Sequence, residues 1–332
     1  MNFSNWISIK TLFTQLILLC IFVFLLILSA NGFGQNYLNK PISFVVPYGP
    51  GTGNDVIARV VSQKVNEGPT LQLLVDNRPG ASGSIALEMT AKLPVNGYNM
   101  LIASTSQIIA QFASKVKYDL IKDFAPVSVA GSLPYVIAVS SASSFKSVND
   151  IEILAKAKPG KMSYSGGMIG GVSHFMGVML NSAKGTDLTL IPYKSTTDAL
   201  ADVIGGRVDV WFSTLASVLP QVKAGKVRAL GVAGGRRVIA MPDVPTMQEA
   251  GVPTLDVSVN FFILTSVATP KNLVSTLNQE IIRAFQTKDV KERLIAAGVE
   301  PGSSTPEELG ELLKREVIRW GKVIKESGYK IE

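Results

Sequence analysis

The feature that most constrains the fold is a regular alternation of short apolar runs and helical patterns after residue 34 of this 332-residue chain. The apolar runs are rich in β-branched residues and bounded by turn residues, which is typical of strands. The predicted strands are Ile42–Val46, Leu71–Asp76, Met100–Ala103, Val127–Ala130, Tyr135–Ser140, Lys161–Ser165, Thr189–Pro192, Val208–Phe212 and Val227–Ala233. The predicted helices between them are Asn54–Glu67, Ser82–Leu93, Ser147–Ala157, Ser173–Ser182, Thr197–Gly205 and Leu215–Lys223. This order predicts an α/β fold with parallel sheets covered by helices.

The C-terminal part is predicted to be helical, with two clear start signals. Thr269 and Thr305 are predicted N-caps, each followed by a proline at the first helical position, and Glu308 completes a capping box after Thr305. The last helix carries one apolar face and should therefore pack against a domain. The residues of that face are Leu309, Leu312, Leu313, Val317, Trp320 and Ile324.

Residues 1–34 have the layout of a secretory signal peptide. Lys10 is their only charged residue, the apolar run 16–28 follows it, and small residues such as Ser29 and Gly34 come next. The run is shorter than the roughly 20 residues of a spanning helix, although an uncleaved anchor remains an alternative and the cleavage position stays open. Cys20, the single cysteine, lies inside this segment, so the exported protein would have no disulfide. Export without disulfides favours a bacterial periplasm.

Charge and motifs exclude several classes of function. The formal net charge of +7 comes from basic residues interspersed with acidic ones, which indicates solvated helix faces rather than a nucleic-acid surface. His174 is the only histidine, so a multi-histidine metal site is excluded and a structural or ligand-lining role is expected for it. No nucleophile elbow or phosphate-binding lysine loop occurs. A dinucleotide site at Gly49 and Gly51 is a weaker alternative, because Asn54 replaces the third glycine.

The segment "ISFVVPYGPGTGND", residues 42–55, predicts a strand, a glycine loop and a helix start. Gly49, Gly51 and Gly53 leave room for a ligand beside backbone N–H groups, and the helix N-terminus favours an anion. Asn54 is the expected N-cap. Similar loops follow other predicted strands, at residues 77–84, 103–107, 165–174, 192–198 and 212–217. Because ligands bind at the carboxyl ends of parallel strands, these loops predict a cleft lined by backbone donors and hydroxyls.

At these residues the chain resembles the Bug-type (TctC-like) extracytoplasmic solute receptors of tripartite tricarboxylate transporters. "PISFVVPYGPGTGND" is similar to the opening motif of that family, and "VDNRPGASGSIA" is similar to its second motif. The segments "DFAPVS", "AKAKPGKMSYS", "PYKSTTDALADVIGGRVDV", "LPQVKAGKVRALGV", "MPDVPTMQEAGVP", "TPKNLVSTLN", "RLIAAGVEP" and "RWGKVIKESG" follow in family order. The resemblance covers essentially everything after the leader.

The resemblance implies a type II periplasmic-binding-protein fold with two doubly wound α/β domains joined by two crossing strands and a ligand cleft between them. Domain 1 would comprise residues 38–133 and 259–332, and domain 2 residues 134–258. The crossings would lie near Leu133–Tyr135 and Val257–Asn260. The implied function is non-enzymatic: a monomer without cofactor or metal binds a small solute of the carboxylate class and delivers it to integral membrane permease subunits. A signalling partner for the extracytoplasmic domain of a sensor protein is the alternative.

The resemblance and the loop pattern together nominate the ligand-binding residues. The first loop contributes a clamp, and the second and third loops support it; the facing domain and the second crossing complete the cleft. The nominated residues are Pro47, Tyr48, Gly51, Thr52, Gly53, Asn54, Ser82, Gly83, Ser104, Thr105, Ser165, Gly166, Gly167, Gly170, Tyr193, Thr214 and Asn260. Thr52, Thr214 and Asn260 depart from the residues usual in the family, which leaves a dicarboxylate, a monocarboxylate, an aromatic acid and a neutral solute open as ligands.

Overall fold

The computed structural model describes residues 40–93, 98–165, 167, 169–193, 195–238 and 240–329. The leader prediction for residues 1–34 lies outside these ranges, and the fold described below is that of the unit Ile42–Glu332. Its strands are β1 (Ile42–Val46), β2 (Leu73–Asn77), β3 (Asn99–Ser104), β4 (Phe124–Ser140), β5 (Ser163–Ser165), β6 (Thr189–Leu190), β7 (Val210–Thr214), β8 (Val227–Val232) and β9 (Ser258–Ser266).

The helices alternate with the strands as far as β8, and the last three follow β9. They are α1 (Gly53–Asn66), α2 (Ser84–Ala91), α3 (Thr105–Ala113), α4 (Val148–Ala157), α5 (Val172–Lys184), α6 (Thr196–Ile204), α7 (Leu215–Lys223), α8 (Lys271–Gln286), α9 (Lys288–Ala296) and α10 (Pro306–Glu326). Two short 3₁₀ turns, Ala81–Gly83 and Pro253–Leu255, complete the described elements. None of the helices in the described ranges combines the length and apolar composition needed to cross a lipid bilayer.

The sheet is mixed: the expectation of parallel sheets is correct for its two outer groups of strands and wrong at its centre. β1 pairs in parallel with β2 and β3, and β5 pairs in parallel with β6 and β7. Between these two parallel groups lie β9, antiparallel to β3 and β4, and β4, antiparallel to β7 and β8. The two central strands run against their neighbours because they carry the chain from one parallel group to the other.

β4 is one 17-residue strand where the sequence pattern predicts two shorter ones. Its first half pairs with β9 as far as Pro134 opposite Ser258, and its second half pairs with β7 and β8 from Tyr135 onward. Register shifts and Gly131, at a φ of +106°, allow the strand to bend without ending. The chain thus passes between the two parallel groups near the predicted first crossing, while the domain boundaries themselves stay a prediction.

β9 is absent from the strands predicted by the sequence, although its core, Phe261–Leu264, is fully apolar and buried. A short continuous apolar run of this kind does not by itself distinguish a buried strand from a helix. Antiparallel pairing with both β3 and β4 decides the matter, because it places the segment at the centre of the sheet.

The C-terminal helices follow the sequence-based expectation with one exception. Thr305 caps α10, and its capping box with Glu308 is present. Thr269 is not the cap of α8: Pro270 takes that position and its carbonyl accepts the first helical hydrogen bonds, from Leu273 and Val274. The predicted apolar face of α10 packs into the main core, where Leu309, Leu313, Trp320 and Ile324 are buried.

Candidate functional site

The first loop connects β1 to α1, and Thr52 is the residue that caps the helix. The Thr52 hydroxyl accepts a hydrogen bond from Asp55 N at 3.4 Å and donates one to Gly49 O at 3.0 Å. The prediction that Asn54 is the N-cap is wrong, because Asn54 lies inside the first turn. Its side chain is buried and donates from Nδ2 to Ile102 O at 3.1 Å, which anchors the helix to β3.

The buried carboxylate of Asp55 accepts a hydrogen bond from one of the loop amides that the sequence analysis assigned to a ligand. Gly51 N donates to Asp55 Oδ2 at 2.9 Å, and Arg59 and Asn77 donate to the same carboxylate. Burial disfavours the charged form of Asp55, but the hydrogen bonds from Arg59, Gly51 and Asn77 outweigh it and lower the pKa of this carboxyl. Gly51 therefore shapes the loop, at a φ of +85°, with its own N–H already satisfied.

Two amides at the start of α1 have no hydrogen-bond partner among the described residues. They belong to Gly53 and Asn54; Asp55 N is bound by Thr52 Oγ1, and Val56 N makes the first intrahelical bond to Thr52 O. Free first-turn amides and the helix dipole favour an anion. A Cβ at position 53 would lie 2.8 Å from Phe261 Cζ, so glycine is required there for close packing against β9.

The second loop makes an unusual left-handed turn. Gly80, Ala81, Ser82 and Gly83 have φ angles of 137°, 45°, 53° and 90°. Only the two glycines adopt such angles without strain. The Ser82 carbonyl accepts hydrogen bonds from Tyr48 Oη at 3.0 Å and from Gln107 Nε2 at 2.9 Å, and these two bonds hold the turn against the first and third loops.

Gln107 is the residue that sequence reasoning missed. Its Nε2 donates to Tyr48 Oη at 2.8 Å as well as to Ser82 O, while its Oε1 accepts from Ser104 N at 2.8 Å and from Ser104 Oγ at 2.9 Å. The bond from Ser104 N to Gln107 Oε1 is part of a capping box at the start of α3. The sequence signal was present, since Ser104 and Gln107 have capping-box spacing. The contacts with the other two loops, by contrast, depend on tertiary structure.

The third loop also reaches the second predicted crossing. Thr105 Oγ1 accepts from Asn260 N at 3.0 Å and donates to Ser258 O at 3.4 Å. These bonds join the start of α3 to β9 where it pairs with β4. Thr105 is fully buried, so its hydroxyl holds the crossing together, whereas Asn260 remains partly exposed.

Tyr48 adds a partly buried phenol to this side of the site. Burial raises the pKa of Tyr48, and hydrogen bonds with Ser106 and Gln107 oppose that rise. Burial also raises the pKa of Tyr135, with a further contribution from the nearby Tyr48. Both phenols are therefore neutral at physiological pH and act as hydrogen-bonding groups. Tyr135 lies in register with Thr214 on β7. Thr214 belongs to the predicted site residues between 165 and 214, which we call the second half of the site, whereas those between 47 and 107 form its first half.

The predicted residues of the second half mostly bind neighbours in their own segments. Tyr193 N donates to Gly167 O at 3.2 Å, and Gly170 N donates to His174 Nδ1 at 3.1 Å. Thr214 Oγ1 lies 3.3 Å from Ser217 Oγ. Gly166 lies outside the described residues.

Ser165 and Tyr193 differ in how their hydroxyls are satisfied. Ser165 is fully buried, and its Oγ has no partner among the described residues. The Tyr193 hydroxyl donates to Asp202 Oδ2 at 2.5 Å, and burial together with this carboxylate raises the pKa of Tyr193 to about 12. Ser165 thus keeps unused hydrogen-bonding capacity at the end of β5.

The structure brings nine of the predicted residues together, in three groups rather than one. Tyr48, Ser82, Gly83 and Ser104 meet around Gln107; Thr105 meets Asn260; and Gly167 meets Tyr193. Pro47 contributes to the first group, because a Cβ added to Gly83 would lie 3.0 Å from Pro47 Cβ.

Two open grooves, of about 750 and 490 Å³, are lined by none of the predicted ligand residues. The first lies between β4, α8 and α10, and the second lies between α5 and α10. In the described part of the chain, no group of three or more His, Cys, Asp or Glu side chains could hold a metal ion.

Comparison with known families gives a match to the family described as "Tripartite tricarboxylate transporter family receptor", over residues 57–329. A UPF0065 protein in the tcbD-tcbE intergenic region of Pseudomonas sp. strain P51 is 36% identical over 87% of this chain and 86% of its own length. Protein BugT of Bordetella pertussis is 31% identical over 90% of this chain and 92% of its own length. The predicted resemblance to Bug-type, TctC-like receptors is confirmed.

Solved structures give the same result for the fold. A protein of R. palustris with adipate is similar with a TM-score of 0.74 and 29% identity, covering 87% of this chain and 98% of that one. MatC from Rhodopseudomonas palustris with bound malate has a TM-score of 0.70 and 25% identity, with 86% and 98% coverage. The predicted fold of a two-domain, type II-like binding protein is confirmed, as is the prediction of a receptor rather than an enzyme.

Proposed function

The chain belongs to the tripartite tricarboxylate transporter receptor family, and on that premise we propose that it is an extracytoplasmic receptor for a small carboxylate. The ligand binds between residues 38–133 plus 259–332 on one side and residues 134–258 on the other. The two connections between these parts act as the hinge, and closure around the ligand forms the surface that the permease recognises. The predicted leader exports the protein to the periplasm, where it acts as a monomer.

The observation that carries this proposal is the pair of free amides at Gly53 and Asn54. They lie at the N-terminus of a 14-residue helix that directly follows a strand of the parallel group. The Asp55 carboxylate, in the same helical turn, accepts hydrogen bonds from Gly51 N and Arg59 rather than from these amides. A carboxylate placed there gains two backbone hydrogen bonds and the favourable end of the helix dipole. The adipate and malate of the two related structures are ligands of this chemical class.

Ligand binding is tested by thermal unfolding and calorimetry with adipate, malate, an aromatic acid such as benzoate, and the neutral analogue adipamide. A bound carboxylate at a hundredfold excess over its Kd should stabilise the protein by about 2.7 kcal/mol. Adipamide has the same carbon chain without charge and is the matched control. Equal stabilisation by adipate and adipamide, or none by any acid, would contradict the proposal.

Delivery to a permease is tested separately with the ligand-loaded protein as bait. We expect integral membrane permease subunits to be captured in the presence of the carboxylate and to be lost when it is omitted. Ligand-dependent capture of the extracytoplasmic domain of a sensor protein instead would replace transport by signalling as the role of the receptor.

A further inference from the structure

We propose that Gln107 is a positioning residue for ligand binding, which ties the three loops of the first half into one preformed clamp. This inference rests on the proposed function and names the group on which the shape of the site depends. Gln107 lies on α3, is fully buried, and contacts Tyr48 of the first loop, Ser82 of the second and Ser104 at the end of β3.

The amide of Gln107 is used to its full hydrogen-bonding capacity. Both Nε2 hydrogens have acceptors, Tyr48 Oη at 2.8 Å and Ser82 O at 2.9 Å, and Oε1 accepts from the amide and the hydroxyl of Ser104. The acceptor half caps a helix, which is a local role. The donor half joins two other loops, and nothing in the capping of α3 requires it.

The second loop is the part that most needs such a tether. Ala81 and Ser82 are left-handed without being glycine, and a turn of this kind persists only where its surroundings hold it. Apart from Tyr48, the described donor to the Ser82 carbonyl is Gln107. The loop is also packed onto this side chain, because a Cβ at Gly83 would lie 2.5 Å from Gln107 Nε2.

The same tether fixes the first loop, which carries the free amides. Tyr48 donates to Ser82 O and accepts from Gln107, and its own carbonyl accepts from Asn77 Nδ2 at 2.9 Å. The loop between Tyr48 and Gly53 is therefore held at its beginning by Gln107 and at its end by the packing of Gly53 against Phe261. A preformed loop loses less conformational entropy when the ligand binds. The hydrogen bonds of Gln107 should therefore increase the affinity for the ligand.

The test compares Gln107→Met with Gln111→Met in the full protein. Gln111 lies one turn later on the same helix. Its Oε1 accepts from Leu120 N at 3.1 Å, and Leu120 belongs to none of the three loops. Adipate and malate are the probes, and affinity is measured by calorimetry well below the unfolding temperature of each variant. We expect Gln107→Met to weaken binding about tenfold, and Gln111→Met to leave it within about twofold.

Hydrogen exchange supplies a readout that would not change if Gln107 served only to cap α3. In Gln107→Met, the amide of Gly83, which donates to Gly80 O at 2.8 Å, should exchange faster, while the amides of α3 beyond its first turn keep their protection. Gln111→Met should leave Gly83 unchanged. If Gln107→Met does not fold, Tyr48→Phe carries the test, because it removes one of the two donors to Ser82 O without leaving a buried gap.

The outcomes separate the two hypotheses. Wild-type protein that binds none of the carboxylates overturns the proposed function and the inference together. Wild-type binding with unchanged affinity and unchanged Gly83 exchange in Gln107→Met, or in Tyr48→Phe where the first variant is unfolded, overturns the inference alone. Weakened binding with faster Gly83 exchange supports it.

Discussion

The two halves of the site use different kinds of hydrogen bonds. In the first half, side chains join one loop to another: Gln107 reaches Tyr48 and Ser82, and Asn77 reaches the Tyr48 carbonyl. In the second half, the described side-chain bonds of the predicted ligand residues stay within one segment, as in Gly170 with His174 and Thr214 with Ser217. The single described link between its loops is the backbone bond from Tyr193 to Gly167.

The sheet explains this difference. β2, β1 and β3 are parallel neighbours of five or six residues, so their carboxyl ends lie side by side and the loops that follow them touch. β5 and β6 have three and two residues and form a shorter pairing surface. We infer that the first half is the preformed part of the clamp and that the second half adapts to the ligand. Four predictions test this comparison.

The largest effect is expected from Gly83→Ala. Position 83 has a φ of +90°, and its Cβ would lie 2.5 Å from Gln107 Nε2. Both the backbone strain and the clash should destabilise the fold, by roughly 2–4 kcal/mol. Gly185→Ala is the matched control, because Gly185 has a φ of +61° and open space around it, and should cost only about 1 kcal/mol. Urea unfolding measures both, and equal losses would contradict a tightly packed second loop.

Gly53→Ala should have the next largest effect, which is a loss of ligand affinity. Together with Gly167→Ala it compares the two halves directly. A Cβ at position 53 would meet Phe261 Cζ at 2.8 Å, so α1 must shift away from β9 and carry its free amides with it. We expect carboxylate affinity to fall at least about tenfold. In the second half, the Cβ of Gly167→Ala would meet, among the described residues, only Ser173 Oγ, at 3.3 Å, and this variant should reduce affinity less. Calorimetry with adipate measures both, and a larger loss in Gly167→Ala would reverse our assignment of the preformed half.

Because of Asp55, the stability of the first half should decrease at acid pH. The folded-state pKa of Asp55 is lowered, so the stabilisation is complete above the unfolded value of about 3.9 and is lost as pH falls through the folded value. Asp55→Asn should lose about 1–3 kcal/mol at neutral pH, because Arg59 and the Gly51 amide lose a charged partner. Its stability should also fall less steeply below pH 4. Urea unfolding across pH 2–7 measures this, and parallel profiles for variant and wild type would be the contrary result.

His174 should also make the stability of the second half depend on pH, by a smaller amount and at a higher pH than Asp55. Burial lowers the pKa of His174, and its Nδ1 accepts from Gly170 N only in the neutral form. The corresponding stabilisation is complete above the unfolded value of about 6.5 and is lost as pH falls from there toward the folded value. His174→Gln should remove this component between pH 5 and 7. An NMR titration of the imidazole that gives a pKa at or above 6.5 would show the idea to be wrong.

The sequence predicted the alternation of elements well where each element is locally specified. α7, Leu215–Lys223, has its predicted bounds, and the Thr305 cap with its glutamate three residues on is present. The sequence-based prediction failed where neighbouring residues compete for the same structural position. Asn54 looked like the cap of α1, but Thr52 caps that helix because Asn54 is buried against Ile102.

The candidate site shows the same division. The glycine loops after strands could be located from the sequence, since glycine and a following helix start have local signatures, and their role in binding a ligand stays a prediction. The use of Gly51 N by Asp55 was not readable, and neither were the contacts of Gln107 with the first and second loops. The bonds of Gln107 with Tyr48 and Ser82 join residues 59 and 25 positions apart, so they depend on which strands lie side by side.

By itself, then, the sequence determined the family, the α/β alternation and the positions of the glycine loops after strands, because these follow from local periodicity, glycine positions and motif order. Only the tertiary structure decided that β4 is continuous, that β9 runs through the centre of the sheet, and which loop amides remain free. Strand order brings distant groups together, and their competition for the same donors and acceptors is settled by geometry that no local pattern contains.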